Sequence, residues 1–251
     1  MEGSRLLPPL GSARAGRQES ARRWGKAGGV ALFILLALTA VECARLGAAG
    51  LFVQFAQSEV DRWTAASRTP RLAEVRLAAK YFMDSFDYVS DNPWALEGMG
   101  ALDVTRMRAS RIPREALAYT RDARVRFRQA LLQRPTSPFL WANLALTKLY
   151  LDEIDDELLT ALRQANALGP WEPTVQQTAL FVGLAVWRDL DPDLQQTLVR
   201  NVERGAARNA QEMLKIVKSF GRFDLVCAID QYKAIAGPEC RKAAASGESK
   251  Q

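Results

Sequence analysis

Apolar residues recur along most of this chain at intervals of three and four, the spacing of a helix face. The apolar stretches are cut by proline at Thr69-Pro70, Asn92-Pro93, Ile112-Pro113, Pro135 to Pro138, Gly169-Pro170, Asp191-Pro192 and Gly237-Pro238. Each proline disfavours helix in the residue before it. The pattern therefore predicts helices of roughly 15–25 residues joined by short turns, the size that stacks as antiparallel hairpins. Alternation of β-branched residues is sparse, and no Asn-Gly or Asp-Gly hairpin signal occurs. The expected fold class is all-α.

One stretch departs from this rhythm. Gly28 to Val41 is a 14-residue run without charge, and apolar character resumes from Leu46 to Val53 after Glu42 and Arg45. Fourteen residues alone suit a signal-peptide core. A helix from Gly28 to Leu46 reaches the roughly 20 residues that a membrane span needs, with Glu42 and Arg45 paired at the far interface. Gly47-Ala48-Ala49 is a small-x-small cleavage site before Gly50. A buried core helix is a third reading, and the one-sided basic flank weighs against it. Residues 1–26 hold Arg5, Arg14, Arg17, Arg22, Arg23 and Lys26 against Glu2 and Glu19. The positive-inside rule keeps that end cytoplasmic. The expected organisation is a disordered basic cytoplasmic tail over 1–26 and a transmembrane anchor, or signal-peptide core, over 27–47. A helical domain follows over 48–240, then a disordered tail over 241–251. In a bacterium this is a single-pass inner-membrane protein with a periplasmic domain.

The string RPTSPFLWANLAL, Arg134 to Leu146, tests the hairpin expectation against a tetratricopeptide repeat of about 34 residues, which wants small residues where two helices approach and large ones between them. Counting back from Pro135 puts Ala130, Phe127 and Ala123 on the small, aromatic and small positions. Counting forward from Pro138 puts Trp141, Leu144 and Ala145 on the first-helix packing positions. With one inserted residue, the copy continues to Leu158, Leu162, Ala165 and Pro170. Trp94 is expected to open the preceding copy, which then carries 13 extra residues around TRMRASRIPREAL. Residues 106–114 are expected to form a loop that the fold does not need. The seam is a helical-repeat junction, and the expected architecture is one N-terminal transmembrane helix followed by a tetratricopeptide-like solenoid.

Composition narrows the chemistry. Histidine is absent, which excludes His-based acid–base work, Ser-His and Cys-His nucleophiles and nearly all catalytic zinc sites. Glu97, Glu172 and Asp191 are the acids beside aromatic or apolar runs, and none has an evident partner. No catalytic residue, cofactor or metal is expected. The cluster Asp152, Glu153, Asp155, Asp156 and Glu157 lacks the glycine turn of an EF-hand and reads as a solvated turn with a helix cap. Gly98-Met99-Gly100 has no preceding strand and no following Gly-Lys, so it is not a phosphate loop. Nine arginines lie between Arg106 and Arg134 against Glu115 and Asp122. Arg106, Arg108, Arg111, Arg114 and Arg121 are the candidate partner-binding group, for an acidic protein surface or anionic headgroups, with a solvated helix face as the bland alternative. The net charge of +6 lies largely at the N-terminus and does not point to nucleic acid. Cys227 and Cys240 are either free thiols or a bridge worth about 3 kcal/mol in an oxidising compartment. Cys43 is expected to stay unpaired.

With its N-terminal anchor and the strings DNPWALEGMG, RQALLQRPTSPFLWANLALTK and ALRQANALGPWEPTVQ, the chain resembles the VpsP-type polysaccharide biosynthesis proteins, membrane-anchored tetratricopeptide-like proteins of bacterial exopolysaccharide gene clusters. The resemblance covers roughly residues 28–240. It implies a non-catalytic helper acting through protein partners of a polysaccharide synthesis or export assembly, and it supplies no catalytic residues. Two other readings share the fold expectation: a general envelope assembly factor or chaperone, and a helical glycan-acting lyase or transglycosylase.

Overall fold

The computed structural model describes residues 12–66 and 68–246, with side chains described within 28–241. Among these residues there are ten α-helices and no strand: α1 Ser12–Ala65, α2 Leu72–Phe86, α3 Pro93–Ala109, α4 Pro113–Gln133, α5 Pro138–Tyr150, α6 Asp156–Leu168, α7 Pro173–Ala185, α8 Pro192–Gly205, α9 Ala210–Ser219 and α10 Asp230–Ser246. Five of them, α3, α4, α5, α7 and α8, begin on proline, where the missing N–H costs nothing and the fixed φ suits the first turn. Asn92, Ser137, Asp155 and Asp191 cap α3, α5, α6 and α8 by accepting from the backbone N–H of Trp94, Leu140, Leu158 and Leu194. Proline is therefore the first residue of half of the ten helices.

Consecutive helices pack as antiparallel hairpins, and α1, α3, α5, α7 and α9 each also touch the next odd-numbered helix, forming one continuous layer. Three apolar clusters run through the stack. Phe82, Met99 and Trp63 join α1 to α3. Phe127, Leu140, Leu158, Leu162 and Leu198 join α3 to α8. Leu180, Val202, Met213 and Tyr232 close the C-terminal end. Close approach is built with glycine. A Cβ on Gly98 would lie 2.1 Å from the Phe82 ring, and one on Gly183 would lie 2.2 Å from Leu198.

Helix α1 is 54 residues long, about 80 Å at 1.5 Å per residue. From Gly28 to Gly47 every residue is exposed, and packing begins at Ala48 and Ala49 without a break in the helix. Its most apolar 18-residue window has a mean hydropathy of 2.0 and no buried residue. This is one long apolar N-terminal helix, of the length and composition of a membrane anchor or signal. Glu42 and Arg45 pair at 2.9 Å, and Arg45 also donates to the Tyr88 carbonyl at 2.9 Å.

Three expectations are corrected. The tail expected over 1–26 is helical from Ser12, because Ala, Arg, Glu and Gln extend an existing helix at little cost. The tail expected from 241 is helical through Ser246, where Ala243, Ala244 and Ala245 do the same. Residues 1–11 and 247–251 lie outside the described residues. Residues 106–114 do not form a loop: they are the last turn of α3, the three-residue turn Ser110–Ile112, and the first turn of α4. The 13 extra residues lengthen both helices, to 17 and 21 residues, since each added turn keeps its backbone hydrogen-bonded.

Candidate functional site

The odd-numbered layer leaves a groove of about 420 Å³ open to solvent. Helix α1 lines it with Val53, Gln57, Val60 and Trp63, and α3 with Trp94, Glu97, Gly98, Ala101 and Thr105; Phe139 and Asn143 of α5 and Thr174 of α7 complete the wall. The intervals within each helix are three and four, so these residues form one face, beside the face that α3 buries through Leu96, Met99 and Leu102. Because consecutive helices are antiparallel, α1 and α3 run parallel here, and Trp63 and Thr105 near their far ends line one hollow together. The lining is mostly apolar, with Gln57, Glu97, Thr105, Asn143 and Thr174 as its polar side chains. Glu97 pairs with Arg134, whose guanidinium lies 3.3 Å from the centroid of the Trp94 ring. Beyond Trp63 the groove opens into a second hollow of about 470 Å³, lined by Trp63, Thr64, Arg68, Thr105 and Arg108.

The five predicted partner-binding arginines divide. Arg106 is engaged by Asp103, which also holds Arg126, at 3.0 and 2.9 Å. Asp103 is 2% exposed; burial pushes its carboxyl up, outweighing the pull of Arg126 and Arg106. Arg108, Arg111, Arg114 and Arg121 are exposed and make no ion pair among the described residues. They surround the α3–α4 turn and the start of α4, at the Trp63 end of α1. That end is 17 residues beyond Leu46, about 25 Å along the helix.

The acidic turn is not merely solvated. Lys148, 1% exposed, bonds to Glu153, Asp155 and Glu157 at 3.3, 2.8 and 2.7 Å. Arg124 pairs with Glu153 and Arg128 with Glu157, so the cluster ties α4, α5 and α6 together. Asp155 also supplies the expected cap. The cue was a lone lysine within LWANLALTKLY, just before the acidic string.

The repeat-packing residues fall as follows. Ala123, Phe127, Ala130, Leu144, Ala145 and Ala165 are fully buried. Pro135 is exposed, and its carbonyl accepts the Trp141 indole N–H at 2.7 Å. Trp141 is half-buried against Ala142, Ala165 and Val175. Pro170 is half-buried, and its carbonyl accepts from Gln176 and Arg204. Trp94 is the exception: it is 57% exposed, because α3 turns Ala95, Leu96 and Met99 into the core and leaves Trp94 on the outward side of its first turn. Of the three lone acids, Glu97 is held by Arg134 and Asp191 caps α8 and pairs with Arg163. Glu172 stands at the N-cap of α7 without a side-chain cap bond. No group of three potential metal ligands occurs among the described residues. Cys227 and Cys240 form a disulfide with Cα atoms 5.5 Å apart, bracketing a kink in α10 at Ala236; Cys43 is free and exposed. A disulfide belongs to an oxidising compartment. Comparisons with protein-family models, curated proteins and solved structures find no match for this chain.

Proposed function

We propose that this chain is a non-catalytic, membrane-anchored scaffold of tetratricopeptide-like hairpins that serves exopolysaccharide synthesis or export by holding a protein partner in the groove of its odd-numbered helices. The observation that carries the reading is the groove itself: an open, mostly apolar channel, of the kind that accepts a peptide or helix. The repeat assignment is supported by the fully buried alanines at 123, 130, 145 and 165 and by the prolines that open α3, α5 and α7. The polysaccharide role rests on the resemblance at the three quoted strings. The exposed apolar helix, its basic flank and the disulfide support a single-pass inner-membrane protein with a periplasmic domain. In that arrangement Arg108, Arg111 and Arg114 point away from the bilayer. An acidic protein surface is then their partner chemistry, and neither headgroups nor nucleic acid are.

A photo-crosslinking amino acid at Ala101 or Asn143, compared with one at Gln129 on the outer face of α4, tests the reading. The groove positions are expected to trap the same protein of the polysaccharide assembly, and Gln129 to trap none. A partner from an unrelated envelope process would make the chain a general assembly factor. Equal trapping from both faces would sink the groove reading. A C-terminal reporter active only in the cytoplasm would overturn the topology.

A further inference from the structure

We infer that the domain edge formed by the α2–α3, α4–α5 and α6–α7 turns is seated on the lipid surface that α1 enters, with Trp94 and Trp171 in the headgroup layer. The inference rests on α1 being a membrane span. Helix α1 joins the packed domain at Ala48, and the turn beside that point is α2–α3: Arg45 bonds the Tyr88 carbonyl, and Phe52 stacks on the Tyr88 ring at 5.7 Å. Because α3, α5 and α7 lie in one layer with α1 and follow antiparallel partners, the turns before them share this end of the stack. Contacts link the turns in series. Gln133 donates to the Asp91 carbonyl, Gly169 packs so closely on Pro138 that a Cβ would lie 2.6 Å from it, and Arg204 donates to the Pro170 carbonyl at 3.1 Å.

This edge exposes large apolar side chains: Leu132 at 85%, Trp94 and Trp171 at 57% each, and Tyr88 and Phe139 at somewhat over a third. A patch of this kind marks a contact surface, and its composition is that of a membrane interface, where tryptophan and tyrosine concentrate. Each tryptophan also carries a guanidinium over its ring, Arg134 on Trp94 and Arg204 on Trp171, at 3.3 and 5.9 Å. That places charge and ring at the same depth. The opposite end exposes Leu72, Ile112 and Ile154, but among Arg68, Arg71, Arg108, Arg111, Arg114 and the Asp152–Glu157 cluster, and with no exposed tryptophan among the described residues. The bases on the lipid-facing edge, Arg134, Arg204 and Arg208, do not outnumber its acids, Asp87, Asp91, Glu97, Glu172 and Glu203. Seating is therefore carried by aromatic insertion and does not require anionic lipid. A tilt of α1 of about 20°, the ordinary value for a span, brings the edge down on the α7 side.

The test uses the full chain in phosphatidylcholine vesicles whose lipids are brominated near the headgroup, all in a Trp24→Phe background. Flotation with the vesicles reports the span, and bromine quenching of tryptophan fluorescence reports the edge. Trp94→Phe with Trp171→Phe is expected to reduce the quenched amplitude at least about twofold, as for interfacial tryptophans, while Trp187→Phe at the other end leaves it unchanged. Full flotation with no difference between these variants overturns the inference alone. Loss of flotation overturns the span and the inference with it. Crosslinking through this edge to a second copy, without quenching, likewise overturns it.

Discussion

Lys148 shows how far one side chain can bind a fold together. Burial opposes its charge, yet the hydrogen bonds it donates to Asp155, Glu157 and Glu153 win and raise its pKa. In return Arg128 and Lys148 hold Glu157 below the ordinary carboxylate range. Glu153 and Asp155 are held low against burial by Arg124 and Lys148. The carboxylates have depressed folded pKa values, so their contribution is full above about pH 4.5, the unfolded range, and is lost as pH falls through the folded values. The lysine is raised, so its contribution is full below about pH 10 and is lost as pH rises through the folded value. The network's contribution to Tm, read as wild type against Lys148→Met, is expected to be flat between these limits and to fall on both sides. Lys148→Met should cost about 2 kcal/mol, less than a fully buried pair, because the three carboxylates are 33–53% exposed. Thermal melts across pH check this; an acid limb unchanged in the variant would mean the network is ornamental. Trp141→Ala should cost about 2–3 kcal/mol through lost packing and an unpaired Pro135 carbonyl, and Trp94→Ala under about 1 kcal/mol, read by denaturant unfolding. Sequence spacing put both tryptophans on one template position. It could not tell them apart, because their exposure depends on which neighbour α2 or α6 presents.

At the scale of the helix, what was legible was local. Proline positions and cap residues act on their own turn, so six of the seven cuts in the sequence fall at breaks between helices, and the seventh, Gly237-Pro238, marks only a kink inside α10. The fate of the 13 extra residues was illegible, because whether a segment loops out or lengthens two helices depends on the partners that meet it. Here Asp103, buried between Arg106 and Arg126, fastens the lengthened end of α3 to α4. The use of Gly98 and Gly100 emerges only from packing: each faces a phenylalanine ring, Phe82 and Phe127. Gly98→Ala is expected to push α2 and α3 apart and cost about 1–3 kcal/mol, the range for overpacking. Gly28→Ala, with open space around it, leaves the domain unchanged. Chemical denaturation of the two variants side by side checks the difference; equal midpoints would contradict the packing.

Across the whole molecule, the apolar helix and the hairpin order could be read from the sequence because each is written in consecutive residues. The groove could not, because Gln57, Ala101, Asn143 and Thr174 come together only once the odd helices are known to lie parallel in one layer. One feature of that layer reaches further. Helix α1 passes from its exposed apolar stretch into the groove wall without a break, so that stretch and Val53, Gln57 and Val60 turn as one shaft. One alanine inserted after Gly47 rotates the domain about 100° around the span and lifts it about 1.5 Å, while leaving every hairpin contact beyond Ala48 intact. The expected outcome is an unchanged Tm with partner crosslinking lost, and partial recovery with four inserted residues, which return the phase to within about 40°. Undiminished crosslinking after the single insertion would reduce α1 to a tether. Under the proposed function, such a shaft sets the compass bearing of the groove, and a neighbour that twists α1 swings the groove through the same angle.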